Sequence, residues 1–159
     1  MRLLLGLLAC LLLAACSSST PSTGDVRAGF SQNLPGLLEL KDFKLEDGHN
    51  VGSDDKPVWV ARYTATVAPR QPTFDIDTVE GDVRILKPVR AAGEAMSLYG
   101  SVRSTRSGDT WSHRFQSDGS SNPVIGRPRS DYGPDALVAG SPEAKALLAK
   151  MAHEKEQAR

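Results

Sequence analysis

The stretch that decides the fold is Pro57-Val58-Trp59-Val60-Ala61-Arg62-Tyr63-Thr64-Ala65-Thr66-Val67. Trp59, Ala61, Tyr63, Ala65 and Val67 alternate with Val60, Arg62, Thr64 and Thr66. Neighbouring side chains of a strand point to opposite faces, so this period of two, in β-branched and aromatic residues, predicts a half-buried strand. On its N-terminal side, Leu37 to Leu45 predicts another strand, separated from it by a polar loop running from Glu46 through Asp54-Asp55. On its C-terminal side, beyond a loop holding Pro69 and Pro72, three more are predicted. Val79 to Leu86 has Val79, Val83 and Ile85 on one face; Met96 to Thr105 has Met96, Leu98 and Val102; Thr110 to Gln116 has Trp111, His113 and Phe115. Arg106-Ser107-Gly108-Asp109 predicts a hairpin between the last two, with the glycine supplying positive φ. Strands in succession, with no long helix between them, favour an antiparallel meander over a parallel sheet.

Helices are expected at the two ends. Asp25 to Asn33 carries Val26, Phe30 and Leu34 on one face, with Asp25 as N-cap, Gly29 in the middle and Pro35-Gly36 at the end. Ser141-Pro142-Glu143 opens the other, with a cap, a proline at the first position and an acid in the first turn. Ala144, Leu147, Leu148 and Met151 share its face, and the helix is expected to reach about Gln157 and to dock its first half. Between them, Ser117 to Pro142 is dense in Gly, Pro and Ser, a loop long enough to be functional, packed across the sheet, or mobile. The predicted class is α+β: a small antiparallel meander with a short N-terminal and a C-terminal helix. Its shape is expected to be cystatin-like, nuclear-transport-factor-like or a small open barrel, and residues 25–159 are expected to form one domain.

The first 15 residues belong to none of this. Leu3 to Leu13 is almost unbroken apolar sequence after a single positive charge, too short for the roughly 20 residues of a membrane span, and therefore reads as a signal peptide. It ends in Leu13-Ala14-Ala15-Cys16, which resembles the lipobox of bacterial lipoproteins. The resemblance covers about the first 17 residues and implies that Cys16 receives a diacylglycerol and, after cleavage before it, an acyl chain such as palmitate on its amino group. Residues 16–24 then form a lipidated, serine-rich tether. Cys10 leaves with the leader, so the mature chain keeps one cysteine, with its sulfur in a thioether, and no disulfide or thiol chemistry is expected. In a Gram-negative host Ser17, in place of aspartate after the cysteine, implies transfer to the periplasmic face of the outer membrane. The leader holds 13 of the 63 apolar residues, and without it the apolar share falls from 40% to about 35%.

No cofactor or metal site is expected. The three histidines have no metal-ligand spacing. His113, between Trp111 and Phe115, reads as a hydrogen-bonded core or rim histidine before a catalytic one, and His49 and His153 read as solvated. Asp75, Asp77, Glu80 and Asp82 are the densest acid cluster, with Asp75 and Asp77 expected on one strand face. They lack calcium-loop spacing and read as a solvated acidic edge. Enzymatic activity is not expected; the alternative is an envelope enzyme or enzyme inhibitor using this cluster or His113.

Charge is balanced at 19 basic and 19 acidic residues, which gives no reason to expect nucleic acid. The balance is an average. From Glu39 to Asp82 there are ten acids and five bases, and from Arg84 to Arg129 eight bases and three acids. Either acidic and basic strands pair side by side, or a basic surface is built from Arg84, Arg103, Arg114, Arg127 and Arg129, with Tyr132 beside it. Arg and Tyr are enriched at binding hot spots. Such a surface suits an envelope protein, lipopolysaccharide phosphates or peptidoglycan carboxylates. The expected role is a non-catalytic binding or envelope-assembly module of a periplasm-facing lipoprotein.

Overall fold

The computed structural model describes residues 20–119 and 123–158, so the leader, Cys16 and the first part of the tether lie outside the described residues. The main sheet is antiparallel, in the order β1 (Leu38–Leu45), β3 (Val58–Pro69), β6 (Met96–Ser107), β7 (Thr110–Ser117), with the short β2 (His49–Asn50) also on β3. The alternation around Trp59 does what the sequence predicts: Trp59, Ala61, Tyr63, Ala65 and Val67 are buried, and Arg62 between them is exposed. Their face is closed by α1 (Thr23–Asn33), which buries Val26 and Phe30. Phe30 sits at the centre, its ring 5.3 Å from that of Phe43, 5.0 Å from Tyr63 and 5.2 Å from Phe115. Each such pair contributes about 0.5–1.5 kcal/mol beyond its area burial.

The N-cap of α1 is Ser22, three residues before the Asp25 expected from sequence. Its hydroxyl oxygen accepts from the Asp25 amide at 3.1 Å and donates to the Asp25 carboxylate at 2.7 Å. Thr23 and Gly24, expected in the tether, are therefore the first turn of the helix. Gly29, a weak helix former at mid-helix, is there for contact: a Cβ on it would stand 2.8 Å from Cδ2 of His113. Its absence lets the helix lie directly on the β7 side chains.

Val79 to Leu86, expected as one strand, is instead the turn of a hairpin. β4 (Thr73–Glu80) and β5 (Val83–Arg90) pair antiparallel across Gly81-Asp82, and Gly81 takes φ +59°. Alternation of Val79, Val83 and Ile85 masks this turn, because a two-residue hairpin loop keeps the count of two intact. The hairpin leaves the main sheet after β3 and the chain returns to it at β6. It forms the middle of a second sheet, β8 (Arg127–Pro128), β4, β5, β9 (Leu137–Val138), in which only β9 runs parallel to its neighbour.

Residues 127–138 are thus a strap that pairs with one side of the hairpin, crosses it through a 3₁₀ turn (Arg129–Tyr132) and pairs with the other. Ile85 and Leu86 of β5, Ala136 of the strap and Ala144 just after it are the buried apolar residues of this part. The last helix, α2 (Pro142–Gln157), is capped by Ser141 as expected, the Ser141 hydroxyl oxygen accepting from Ala144 at 3.1 Å. Only Ala144 is buried along it, and Leu148 is exposed. The fold is α+β with a helix at each end, and neither sheet closes into a barrel.

Candidate functional site: an arginine pair on the main sheet

β6 and β7 bury Val102 and Ser104, and half-bury His113 and Phe115, on the α1 side. Strand geometry then forces Arg103 and Arg114 onto the opposite face, where they stand directly across from each other and are both exposed. Register extends the row to Val60 and His49, flanked by Arg62, Ser101 and Gln116 on one side and by Thr105 and Ser112 on the other. This face is polar and basic. Arg62 has a distant partner in Glu46, 4.0 Å away. Arg103 and Arg114 have no ion-pair or hydrogen-bond partner for their guanidiniums among the described residues, and they line a depression of about 400 Å³ with Thr105, Ser112 and His113. Like charges directly opposite on a sheet are destabilising, so the pair favours an anion between or beside them.

The other four residues of the expected basic surface lie on the small sheet. Tyr132 donates from its hydroxyl to the Phe74 carbonyl at 2.8 Å, and Arg84 donates from Nη1 to the Tyr132 carbonyl at 2.7 Å. Arg129 donates from Nε to the Ala136 carbonyl at 3.1 Å. The first two bonds tie the strap to the hairpin, and the third closes the strap on itself. Arg127 is exposed on β8, paired in register with Phe74. The six residues therefore form two groups: Arg103 with Arg114, and Arg84, Arg127, Arg129 and Tyr132 around the strap.

His113, expected as a hydrogen-bonded core or rim histidine, shares a hydrogen bond of 2.9 Å through Nδ1 with the hydroxyl of Ser104, its partner across β6 and β7. Burial pushes its pKa down from the ordinary histidine value, with the Asp25 charge acting the other way. Ser104 is fully buried beneath the helix, so its hydroxyl orients the imidazole and has no open side from which to meet a substrate. Among the acids, Asp75 lies opposite Lys87, while Asp77 falls in a register shift of β4 between Ile76 and Thr78, which takes the two aspartates out of a simple alternation. Among the described residues no group of three or more His, Cys, Asp or Glu side chains is placed to hold a metal ion.

These features define a class by architecture, a helix-covered antiparallel sheet with a strapped hairpin inserted between its third and fourth segments. No protein-family model, curated protein or solved structure matches the chain.

Proposed function

We propose that the chain is a lipid-anchored, periplasm-facing lipoprotein of the outer membrane, whose domain is a non-catalytic binding or envelope-assembly module. The observation that carries the anchoring is Leu13-Ala14-Ala15-Cys16 at the end of a short apolar leader. Its position suits an anchor: Thr20, four residues after Cys16, already lines a depression with His49, Asn50, Trp59 and Arg106. The intervening chain spans at most about 14 Å. A lipid on Cys16 would hold that end of the main sheet beside the membrane. Arg103 and Arg114, without an ion-pair partner among the described residues, give the domain its binding surface, and anionic groups of an envelope partner suit it.

The test is Cys16→Ala in cells fed a labelled fatty acid. The expected result is loss of the label and release of the protein from the membrane fraction. A variant that stays with the membranes and carries as much label overturns the reading.

A further inference from the structure

The edge of the main sheet beyond Arg114 is open, and its chemistry is specific. β7 is the last strand, with none beyond it among the described residues. The Asp118 amide donates to the Tyr99 carbonyl at 2.8 Å, and the register then fixes every other pair. Thr110, Ser112, Arg114 and Gln116 exchange their backbone bonds with β6, so the N–H and C=O groups of Trp111, His113 and Phe115 turn outward. Natural sheets usually blunt such an edge. The opposite edge is blunted: β1 has a register shift between Leu40 and Asp42, and the strand ends at Leu45 before β2 begins at His49. β7 runs eight residues with no shift.

We propose that the β7 edge receives an extended segment of a partner protein as an added strand, with apolar side chains on one face and acidic ones on the other. This rests on the reading of the domain as a binding module and names the kind of partner it takes. On the α1 side, the added strand would lie against half-buried Trp111, His113 and Phe115, and beside a depression of about 490 Å³ lined by Phe30, Asn33, Leu34, His113, Arg114 and Phe115. Apolar side chains fit there. On the other side it would lie beside Ser112, Arg114 and Gln116, within reach of the Arg103 and Arg114 guanidiniums, which have no counter-ion among the described residues. Acidic side chains fit there. Main-chain bonds supply affinity in this mode and alternate side chains supply selectivity. A second copy of β7 would offer Thr110, Ser112, Arg114 and Gln116 on its outer face, no carboxylate among them, and would add like charge to the pair.

The experiment uses the full lipidated chain in detergent and a fluorescent, end-capped eight-residue peptide of alternating Val and Glu, followed by anisotropy. Three companions are an alternating Val and Lys peptide and two N-methylated forms, one blocked at every Val nitrogen and one at every Glu nitrogen. Binding of the Val/Glu peptide is expected, with the amides of Trp111, His113 and Phe115 slowed in hydrogen exchange. One methylated form, and only one, loses about tenfold or more, because only one set of peptide amides faces β7. Arg103→Glu with Arg114→Glu is expected to invert the preference toward Val/Lys. No binding, equal binding of the Val/Glu and Val/Lys peptides, indifference to both methylations, or an unchanged preference in the double variant each overturns the proposal. So does a dimer of this chain that buries the same amides, or a double variant that affects only association with phosphatidylglycerol vesicles. Anchoring through Cys16 stands or falls separately, on the fatty-acid label.

Discussion

Arg103 and Arg114 face each other across β6 and β7 with no counter-ion among the described residues, so replacing one of them with glutamate removes a repulsion and creates an attraction. Two unit charges about 6 Å apart in a water-like dielectric interact by about 0.7 kcal/mol, and reversing one changes that by up to about 1.4 kcal/mol. Screening over a Debye length of about 8 Å and side-chain freedom bring the expected gain for Arg114→Glu to about 0.5–1 kcal/mol. That corresponds to a rise in Tm of about 2–4 °C for a domain of this size. Arg103→Glu is expected to gain the same amount, and the double reversal to fall back to the wild-type level, since two glutamates repel as two arginines do. The assay is thermal unfolding followed by circular dichroism at low and at about 0.5 M salt, where the differences should shrink. If both single variants are less stable than wild type, or the double variant is as stable as the singles, the two guanidiniums do not repel across the strands and the argument for an anion at this face fails. A gain in stability with a loss of acidic-peptide binding would mark a surface kept for function at the expense of the fold.

Two further outcomes test how the helix meets the sheet. Gly29→Ala, which in an ordinary helix gains about 0.8–1 kcal/mol, is expected here to lose about 1 kcal/mol because its Cβ meets the His113 ring, and to become stabilising in a His113→Ala background; urea unfolding of the four proteins checks it, and a gain from Gly29→Ala alone refutes the contact. His113 has a folded pKa below its unfolded one, so the unfolded chain takes up the proton first. Its contribution is therefore full above about pH 6.5 and is lost as pH falls through the unfolded value toward the lower folded one. His113→Gln should flatten urea midpoints measured between pH 7.5 and 5, and an unchanged slope refutes the assignment.

The legible parts of this chain were those set by neighbours in sequence. Period-two burial from Trp59 to Val67, the Gly108-Asp109 turn and the Ser141-Pro142 helix start all follow from local sterics and capping, and the structure has them. Where the structure departs locally from the sequence pattern, a second local signal competes. Ser22 sits in a serine-rich stretch of sequence, and the Gly81-Asp82 turn is masked by an apolar alternation that continues through it. The candidate site depends on more distant terms. A basic half-sequence says nothing about which arginines share a face, because that requires knowing which strand lies beside which.

By itself, then, the sequence determined the periodicity of the main strands and the presence of a helix at each end of the domain. Only the tertiary structure decided that the hairpin departs to form its own sheet, that Arg84 and Tyr132 are spent holding a strap across it, and that Arg129 bonds within the strap. It likewise decided that Ser104 meets His113 under the helix, and that Arg103 and Arg114 meet beside an open edge. The physical reason is that dihedral preferences and turn chemistry act over a few residues, whereas strand order is chosen by the burial of faces far apart in the chain.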